Sequence, residues 1–232
     1  MDKRVQVLVG KGLRALPFLN NIMRLILTIG IFIFSIAIYG QTNIWTGGSL
    51  NVKLSKQNSL KVKTQARWEF VPNSGTTHLY QVGFKQKIGK RWSVTPGYRI
   101  SFNNVNLKAN RIYGDLIYSS KRKKKKFRWD VRLRGQHSIR ANREFVNGKT
   151  YLRLKPSVSY NLSKLIDPFI GHEMFYRFNT KNELRELRWI AGFDFKFSKK
   201  LNLKTALMNQ REINIGNPSK AMVFVAQLKW KL

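Results

Sequence analysis

Hydrophobic and polar residues alternate along most of this chain with a period of two. The clearest stretch is residues 60–70, LKVKTQARWEF. One parity holds mainly Leu, Val, Ala, Trp and Phe, and the other holds only Lys, Arg, Gln and Glu. Because successive side chains of a β-strand point to opposite faces, this pattern predicts a strand with one apolar and one charged face.

The same alternation recurs to the C-terminus. Most of these segments have the ~9–11 residues that a tilted strand needs to cross a bilayer. Repeated two-faced strands of this length are typical of outer-membrane barrels. The sequence therefore predicts an all-β fold, a closed antiparallel up-and-down transmembrane β-barrel of 10–12 strands. The eleven segments are 44–54, 60–70, 78–88, 92–102, 111–120, 126–139, 150–162, 168–178, 185–197, 201–211 and 222–232.

The links between these segments alternate in length, which predicts short periplasmic turns and longer outer loops. The C-terminal segment then runs from the outside to the periplasm. The short links are 55–58, 89–91, 121–125, 163–165 and 198–200, and the longer ones are 71–77, 103–110, 140–149, 179–183 and 213–220.

The count of eleven segments conflicts with the even strand number usual in bacterial barrels. Segment 44–54 precedes a short turn, so it has to start on the outer side. Three explanations stay open: this segment lies inside the barrel, a link is misassigned, or a strand is missing. Pro96 and Pro156 also weaken the prediction of the two strands that contain them.

Alternation alone does not say which face points outward, since a soluble barrel or sandwich with an apolar interior gives the same pattern. The apolar parity carries too many large rings for a small lumen, which favours lipid outside. Tryptophans near segment ends suit the girdles at the two membrane interfaces. The predicted interfacial aromatics are Trp68, Trp92, Trp129, Trp189 and Trp230.

The chain has 44 Lys and Arg against 11 Asp and Glu, a net charge of +33, which attracts polyanions. We expect no nucleic-acid partner, because a soluble nucleic-acid binder does not expose so many aromatic residues. The run KRKKKK at 121–126 is most simply a solvated turn, or else a contact for anionic lipid or lipopolysaccharide phosphates. The absence of cysteine excludes disulfides, thiolate metal sites and a catalytic thiol.

An apolar run led by Arg24, residues 25–38, is shorter than the ~20 residues of a membrane helix. It resembles the hydrophobic region of a signal peptide, with small-residue cleavage near Gly40. We expect residues 1–40 to be a leader, translation to initiate at Met23, and residues 41–232 to form one barrel domain. The alternative is an uncleaved anchor helix.

The charged parity predicts two sets of lumen residues. The hypothesis of a structural network pairs each acid with neighbouring cations, because an unpaired buried ion is costly. The more specific hypothesis is a water-filled channel in which the excess Arg and Lys select anions. The predicted basic cluster is Arg99, Arg132, Arg134, Arg153 and Arg177, and the predicted acidic partners are Asp115, Asp130, Glu173 and Asp194.

No constellation of residues indicates catalysis. Ser138 adjoins His137, but adjacent strand residues face opposite ways. Asp115 and Asp130 could oppose each other across a hairpin like the paired acids of omptin-type proteases, although ion pairing with arginine is simpler. No metal-ligand spacing is present, so we expect no metal, no cofactor and no enzymatic activity. A barrel enzyme acting on lipid or peptide, and a soluble periplasmic binder of acidic ligands, remain the alternatives.

Four stretches resemble a family of porin-like outer-membrane barrels of unknown function from Gram-negative bacteria. They are RIYGDLIYS (111–119), RWDVRLRGQHSIR (128–140), PFIGHEMFYRFN (168–179) and RWIAGFDFKFSKKLNLKTALMNQ (188–210). The resemblance includes an acidic strand residue matching Glu173, and it implies a fold and a location but no reaction. The chain departs from the usual C-terminal aromatic residue by ending at Leu232.

The sequence thus predicts an outer-membrane barrel of unassigned role, for which a passive structural barrel and a narrow, anion-preferring channel are both hypotheses. The expected partners are outer-membrane lipid and lipopolysaccharide, the barrel-assembly machinery during biogenesis, and small anionic solutes.

Overall fold

The computed structural model of this protein describes residues 42–69, 75–104, 106–120, 126–141, 145–179 and 182–232. The predicted leader and residues 121–125 of the basic run lie outside the described residues. Within these ranges the chain forms a closed β-barrel. This confirms the predicted all-β barrel, and its eleven strands fall within the predicted range of 10–12.

Each of the eleven alternating segments forms a strand, and a short 3-10 helix over Phe145–Asn147 precedes the seventh. The strands are β1 Thr42–Lys53, β2 Asn58–Trp68, β3 Thr76–Ile88, β4 Trp92–Asn103, β5 Asn106–Ser119, β6 Phe127–Arg140, β7 Lys149–Tyr160, β8 Ile166–Arg177, β9 Glu183–Lys196, β10 Leu201–Glu212 and β11 Lys220–Lys231.

The odd strand number is resolved at the closure of the barrel. Strands β2 to β11 pair antiparallel in sequence order, while β1 pairs antiparallel with β2 and parallel with β11. An up-and-down barrel with an odd number of strands closes only if one neighbouring pair is parallel. Segment 44–54 is therefore a wall strand, and the explanation that placed it inside the barrel is wrong.

The two ends of the barrel differ in their connections. We call the end with connections 54–57, 89–91, 120–126, 161–165 and 197–200 the turn end, and the opposite end the loop end. Three of these turns contain a serine–lysine pair whose serine hydroxyl organises the turn. The serine hydroxyl accepts hydrogen bonds from the amides two and three residues later, which fixes a tight turn. These serines are Ser55, Ser163 and Ser198.

The predicted long loop at 103–110 is wrong, because β5 begins at Asn106 and the connection is only residues 104–105. Asn104 has a positive φ of 53°, a conformation that asparagine tolerates well in tight turns. A register shift between Ser101 and Phe102 absorbs the irregular spacing of this polar stretch. The asparagine-rich composition had indicated a loop where the chain continues as strand.

Pro96 lies inside the continuous strand β4, and Pro156 lies inside the continuous strand β7. The register between β3 and β4 is interrupted beside Pro96, and that between β7 and β8 beside Pro156. Proline has no N–H to donate, so each one stands where the ladder has a gap. On their other side the two residues keep their register, with Gly114 and Val131 respectively.

The apolar parity faces outward all round the wall. No helix among the described residues is long and apolar enough to span a membrane. The interior instead contains buried charged side chains such as Arg134, Arg153 and Glu173. The alternative of a soluble barrel with an apolar interior is therefore wrong. Exposed exterior residues include Val62, Val82, Phe84, Ile112, Leu116, Leu133, Leu154, Val158, Ile170, Phe193 and Leu228.

Aromatic side chains form a ladder on the outer surface at the turn end. The ring centroids of Trp92 and Tyr118 are 4.9 Å apart, and those of Tyr118 and Trp129 are also 4.9 Å apart. Trp230 is exposed near the same end, at the close of β11. A band of amphipathic rings at this level suits the interface between hydrocarbon and headgroups.

The other two predicted interfacial tryptophans lie elsewhere on the outer surface. Trp68 is the last residue of β2, at the loop end. Trp189 lies midway along β9 and packs against His172, with ring centroids 4.2 Å apart.

Candidate functional site: the charged lumen

A central cavity of about 490 Å³ occupies the lumen and is lined by inward residues of all eleven strands. Its walls contain fourteen Lys and Arg residues and four acids, namely Asp115, Glu173, Glu186 and Glu212. The cations are Lys61, Lys63, Arg67, Lys85, Arg99, Arg111, Arg132, Arg134, Lys149, Arg153, Lys155, Arg185, Arg188 and Lys204.

Two smaller cavities adjoin the central one. One of about 160 Å³ lies toward the turn end and shares Lys155 and Lys204 with the central cavity. The other, of about 150 Å³, lies toward the loop end and shares Arg67, Arg99 and Arg111 with it. The three spaces thus follow one another along the barrel, separated only by side chains.

Glu173 is the most buried charged group of the lumen, with 2 % of its surface exposed. Its Oε1 accepts hydrogen bonds from Arg132 Nη2 at 2.6 Å and Arg153 Nη2 at 2.8 Å. Arg188 Nη1 is 3.9 Å from Oε2. One carboxylate on β8 therefore holds guanidinium groups from β6, β7 and β9.

Asp115 and Arg134 form a second buried ion pair. They are register partners on β5 and β6, and two hydrogen bonds of 2.5 and 2.7 Å join their side chains. Arg134 also lies over the Tyr113 ring, 4.1 Å from its centroid. A bidentate pair of this kind fixes both side chains.

The acid pair considered for an omptin-like mechanism is not formed. Asp130 pairs in register with Ser119, away from Asp115, and its carboxylate accepts a hydrogen bond from Arg128 Nε at 3.0 Å. The last predicted acidic partner, Asp194, accepts two hydrogen bonds of 2.8 Å from Lys229. All four predicted acids thus contact cations, each on its own part of the wall.

Glutamine amides also hold lumen arginines, either alone or together with a carboxylate, and sequence reasoning missed them. Gln81 Oε1 accepts from Arg99 Nε at 3.0 Å and Nη2 at 2.6 Å, and its own amide donates to Tyr113. Gln136 Oε1 accepts from Arg153 Nη1 at 2.9 Å. The inward parity was the available signal, because both glutamines lie on it.

Of the five predicted basic residues, Arg99, Arg132, Arg134 and Arg153 line the central cavity. Arg177 lies at the loop end of β8, and its buried Nε has no hydrogen-bond partner among the described residues. Sequence reasoning also missed Arg111, which donates from Nε to Ser138 Oγ at 2.7 Å. It was missed because it was taken as the first residue after a loop.

One side of the lumen is apolar, which alternation did not predict. Trp45, Ile190, Ala206, Met208 and Val223 form a buried cluster of inward side chains from β1, β9, β10 and β11. The Arg67 guanidinium lies over the Trp45 ring at 3.7 Å. This cluster gives part of the cavity wall an apolar surface, beside cations such as Arg188 and Lys204 of the same strands.

Comparison with known proteins places the chain in a family. The family model described as "Protein of unknown function (DUF2490)" matches residues 42–220. The chain belongs to this family. The match covers β1 to β10 and confirms the predicted resemblance to a barrel family without an assigned function.

Solved structures similar to this DUF2490 barrel are outer-membrane proteins. The NanC porin matches with a TM-score of 0.48 and 10 % identity over 69 % of this chain and 78 % of that chain. OmpT of Vibrio cholerae matches as the outer-membrane expressed form (TM-score 0.39, 9 % identity, 67 % of this chain, 54 % of that chain). The in-vitro folded trimer form of OmpT also matches, with a TM-score of 0.38 and 10 % identity over 70 % of this chain and 58 % of that chain. No functionally curated protein matches the sequence.

His137 of the DUF2490 barrel has structural contacts. His137 Nδ1 is 2.9 Å from Thr150 Oγ1, and its Nε2 is 2.9 Å from the Phe145 carbonyl. Ser138 faces the other way and contacts Arg111, as the alternation predicted. Among the described residues no group of three metal-ligating side chains comes together.

Proposed function

We propose that this protein is an outer-membrane channel that prefers anions. The observation that supports the proposal is the composition of the central cavity, where cationic side chains outnumber acids by ten. Rings of Arg and Lys are the usual means by which anion pores select their ions. Low-dielectric walls focus this field and raise the local concentration of anions.

In this proposal the cations of the lumen have two roles, depending on whether a buried ion pair holds them. Glu173 and Asp115 compensate only part of the cationic charge and fix arginines to the wall. The remaining cations face the cavity and supply the selectivity. The structural network and the anion conduit, which the sequence offered as alternatives, are in this proposal two parts of one lumen.

The outer surface supports placement in the outer membrane of a Gram-negative bacterium. Its apolar band and aromatic ladder suit lipid contact. The five connections of the turn end contain no acid, and each carries at least one cation. This rim is suited to phosphate groups of membrane lipids, and we place it in the periplasm, where short turns usually lie. Its exposed described members are Lys56, Lys90, Arg91, Lys126, Lys164, Lys199 and Lys200.

Reversal potentials in planar bilayers test the channel. With refolded protein in a tenfold KCl gradient, we expect a chloride permeability several-fold above that of potassium. The double variant Lys85→Glu with Lys204→Glu reverses two lumen charges and is expected to lower this ratio at least threefold. A cation preference of the unmodified protein, or a sealed bilayer, would contradict the channel.

The matched control makes the same charge change outside the lumen. Lys56→Glu with Lys164→Glu alters two exposed residues of the turn end, and we expect its permeability ratio to equal that of the unmodified protein. An equal fall in both double variants would mean that net charge, and not the lumen wall, sets the selectivity.

The proposed location has its own test. Refolded in detergent, the barrel is expected to migrate faster in an unheated gel than after boiling, and the cellular protein is expected in the outer-membrane fraction. Recovery in the soluble periplasmic fraction would contradict the location.

A further inference from the structure

Three lysines of the central cavity differ from its arginines in having no hydrogen-bond or ion-pair partner in the described part of the chain. Lys61 and Lys63 lie on β2, and Lys155 lies on β7. Among the described residues none of the three makes a salt bridge within 4.0 Å or a hydrogen bond. The arginines beside them are fixed by Glu173, Asp115, Gln81 or Gln136.

The surroundings of Lys63 are uniformly cationic. The charged groups that act on it most strongly are Arg99, Lys61, Arg67 and Lys155, and no acid is among them. Lys155, on the opposite wall, lies within reach of one acid, Glu173, and of three cations, Arg132, Lys204 and Arg153. Lys61 likewise has one acid, Asp115, and three cations near it. Concentrated like charge in a confined space is unfavourable unless water or a counter-ion compensates it.

The neighbouring side chains that could compensate the positive charge of these three lysines already have other partners. Gln65, next inward on β2 after Lys63, accepts two hydrogen bonds from Arg67, so its oxygen is already used. Glu173 is shared between Arg132 and Arg153. An excess of positive charge therefore remains in this part of the lumen, and an anion from outside the protein can compensate it.

We infer that Lys61, Lys63 and Lys155 form a binding site for a small phosphate-bearing anion in the middle of the lumen. This inference rests on the proposed anion channel and names the class of anion that the channel holds. Three ammonium groups without an ion-pair partner match an oxyanion of charge −2 better than chloride, and lysine binds phosphate as a point charge. The central cavity of about 490 Å³ is in the range of small-molecule sites.

Block of chloride current by inorganic phosphate tests the site. At constant ionic strength, we expect millimolar phosphate to reduce the chloride current of the unmodified protein, while acetate does not. Lys63→Gln and Lys155→Gln are each expected to weaken the block at least tenfold. Lys63→Arg keeps the charge and is expected to retain the block within threefold.

Lys164→Gln is the matched control, because it removes one ammonium group from the exposed turn end, outside the lumen. Its phosphate block is expected to stay within twofold of the unmodified protein. An equal loss in Lys164→Gln and Lys63→Gln would overturn the site.

Equilibrium binding distinguishes failure of the site from failure of the channel. Phosphate titrated into the detergent-refolded protein and followed by ³¹P NMR is expected to bind at one site that Lys63→Gln abolishes. Anion selectivity without phosphate binding would overturn the site and leave the channel intact. Phosphate binding in a barrel that does not conduct would keep the site and overturn the channel.

Discussion

Replacing Glu173 with glutamine is expected to destabilise the barrel by about 3–5 kcal/mol, the usual cost of removing one partner from a buried ion pair. The carboxylate is 2 % exposed and binds Arg132 and Arg153 directly. Glutamine keeps the shape but removes the charge, so the buried Arg153 guanidinium and the partly buried Arg132 guanidinium lose their shared carboxylate. Urea unfolding in lipid vesicles, followed by tryptophan fluorescence, measures the change in the free energy of unfolding.

Asp194→Asn is the matched control, since it makes the same chemical change in a wetter part of the lumen. The Asp194 and Lys229 side chains are 23 % and 30 % exposed, so solvent screens their attraction. We expect a loss of at most about 1 kcal/mol, as for other solvent-accessible pairs. Equal losses in the two variants would show that the Glu173 network does not hold the wall together.

The second large effect is expected at the closing strand. Gly47→Ala places a Cβ 2.2 Å from the Thr64 carbonyl oxygen and 2.8 Å from Gln65 Cα. Both are backbone atoms of the paired strand β2, so no side-chain rotation relieves the overlap. We expect a destabilisation of about 2–3 kcal/mol, in the upper range for overpacking. Loss of the fast-migrating folded form on unheated gels at lower urea concentrations provides the measurement.

Gly48→Ala is the neighbouring control, because its Cβ meets nothing within 4 Å and points outward. The two substitutions are identical in chemistry and differ only in the face of β1 on which they lie. We expect unfolding of the Gly48→Ala barrel within about 0.5 kcal/mol of the unmodified protein, as at other unconstrained surface positions. A neutral Gly47→Ala would mean that β1 does not approach β2 as closely as described.

The period-two alternation predicted correctly which side chains of each strand face outward and which face the lumen. A two-faced strand has only one arrangement in which its apolar side chains meet lipid, so residues such as Val62 and Leu133 fix the facing of their strands. For the same reason Arg132, Arg134 and Glu173 had to point inward. Polar loops carry no such constraint, which is why the strand start at Asn106 was missed.

The partners of each lumen charge depended on contacts between distant segments. Residues 41 positions apart, Arg132 and Glu173, meet only because β6 and β8 flank β7. The sequence allowed Asp115 and Asp130 to face each other across a hairpin. The register of β5 and β6 instead places Arg134 opposite Asp115. A shift of two residues keeps every side chain on the same face, so alternation cannot choose between such registers.

By itself, the sequence determined the barrel, because the two-faced pattern follows from the pleat of a strand. It also determined the outward apolar face and the inward charges, because the apolar parity carries too many large rings to fill a small lumen. Only the tertiary structure decided the parallel closure of β1 on β11, the apolar cluster around Trp45, and which cations have carboxylate partners. These features depend on register and on side chains meeting across the lumen. A local period of two carries no information about either.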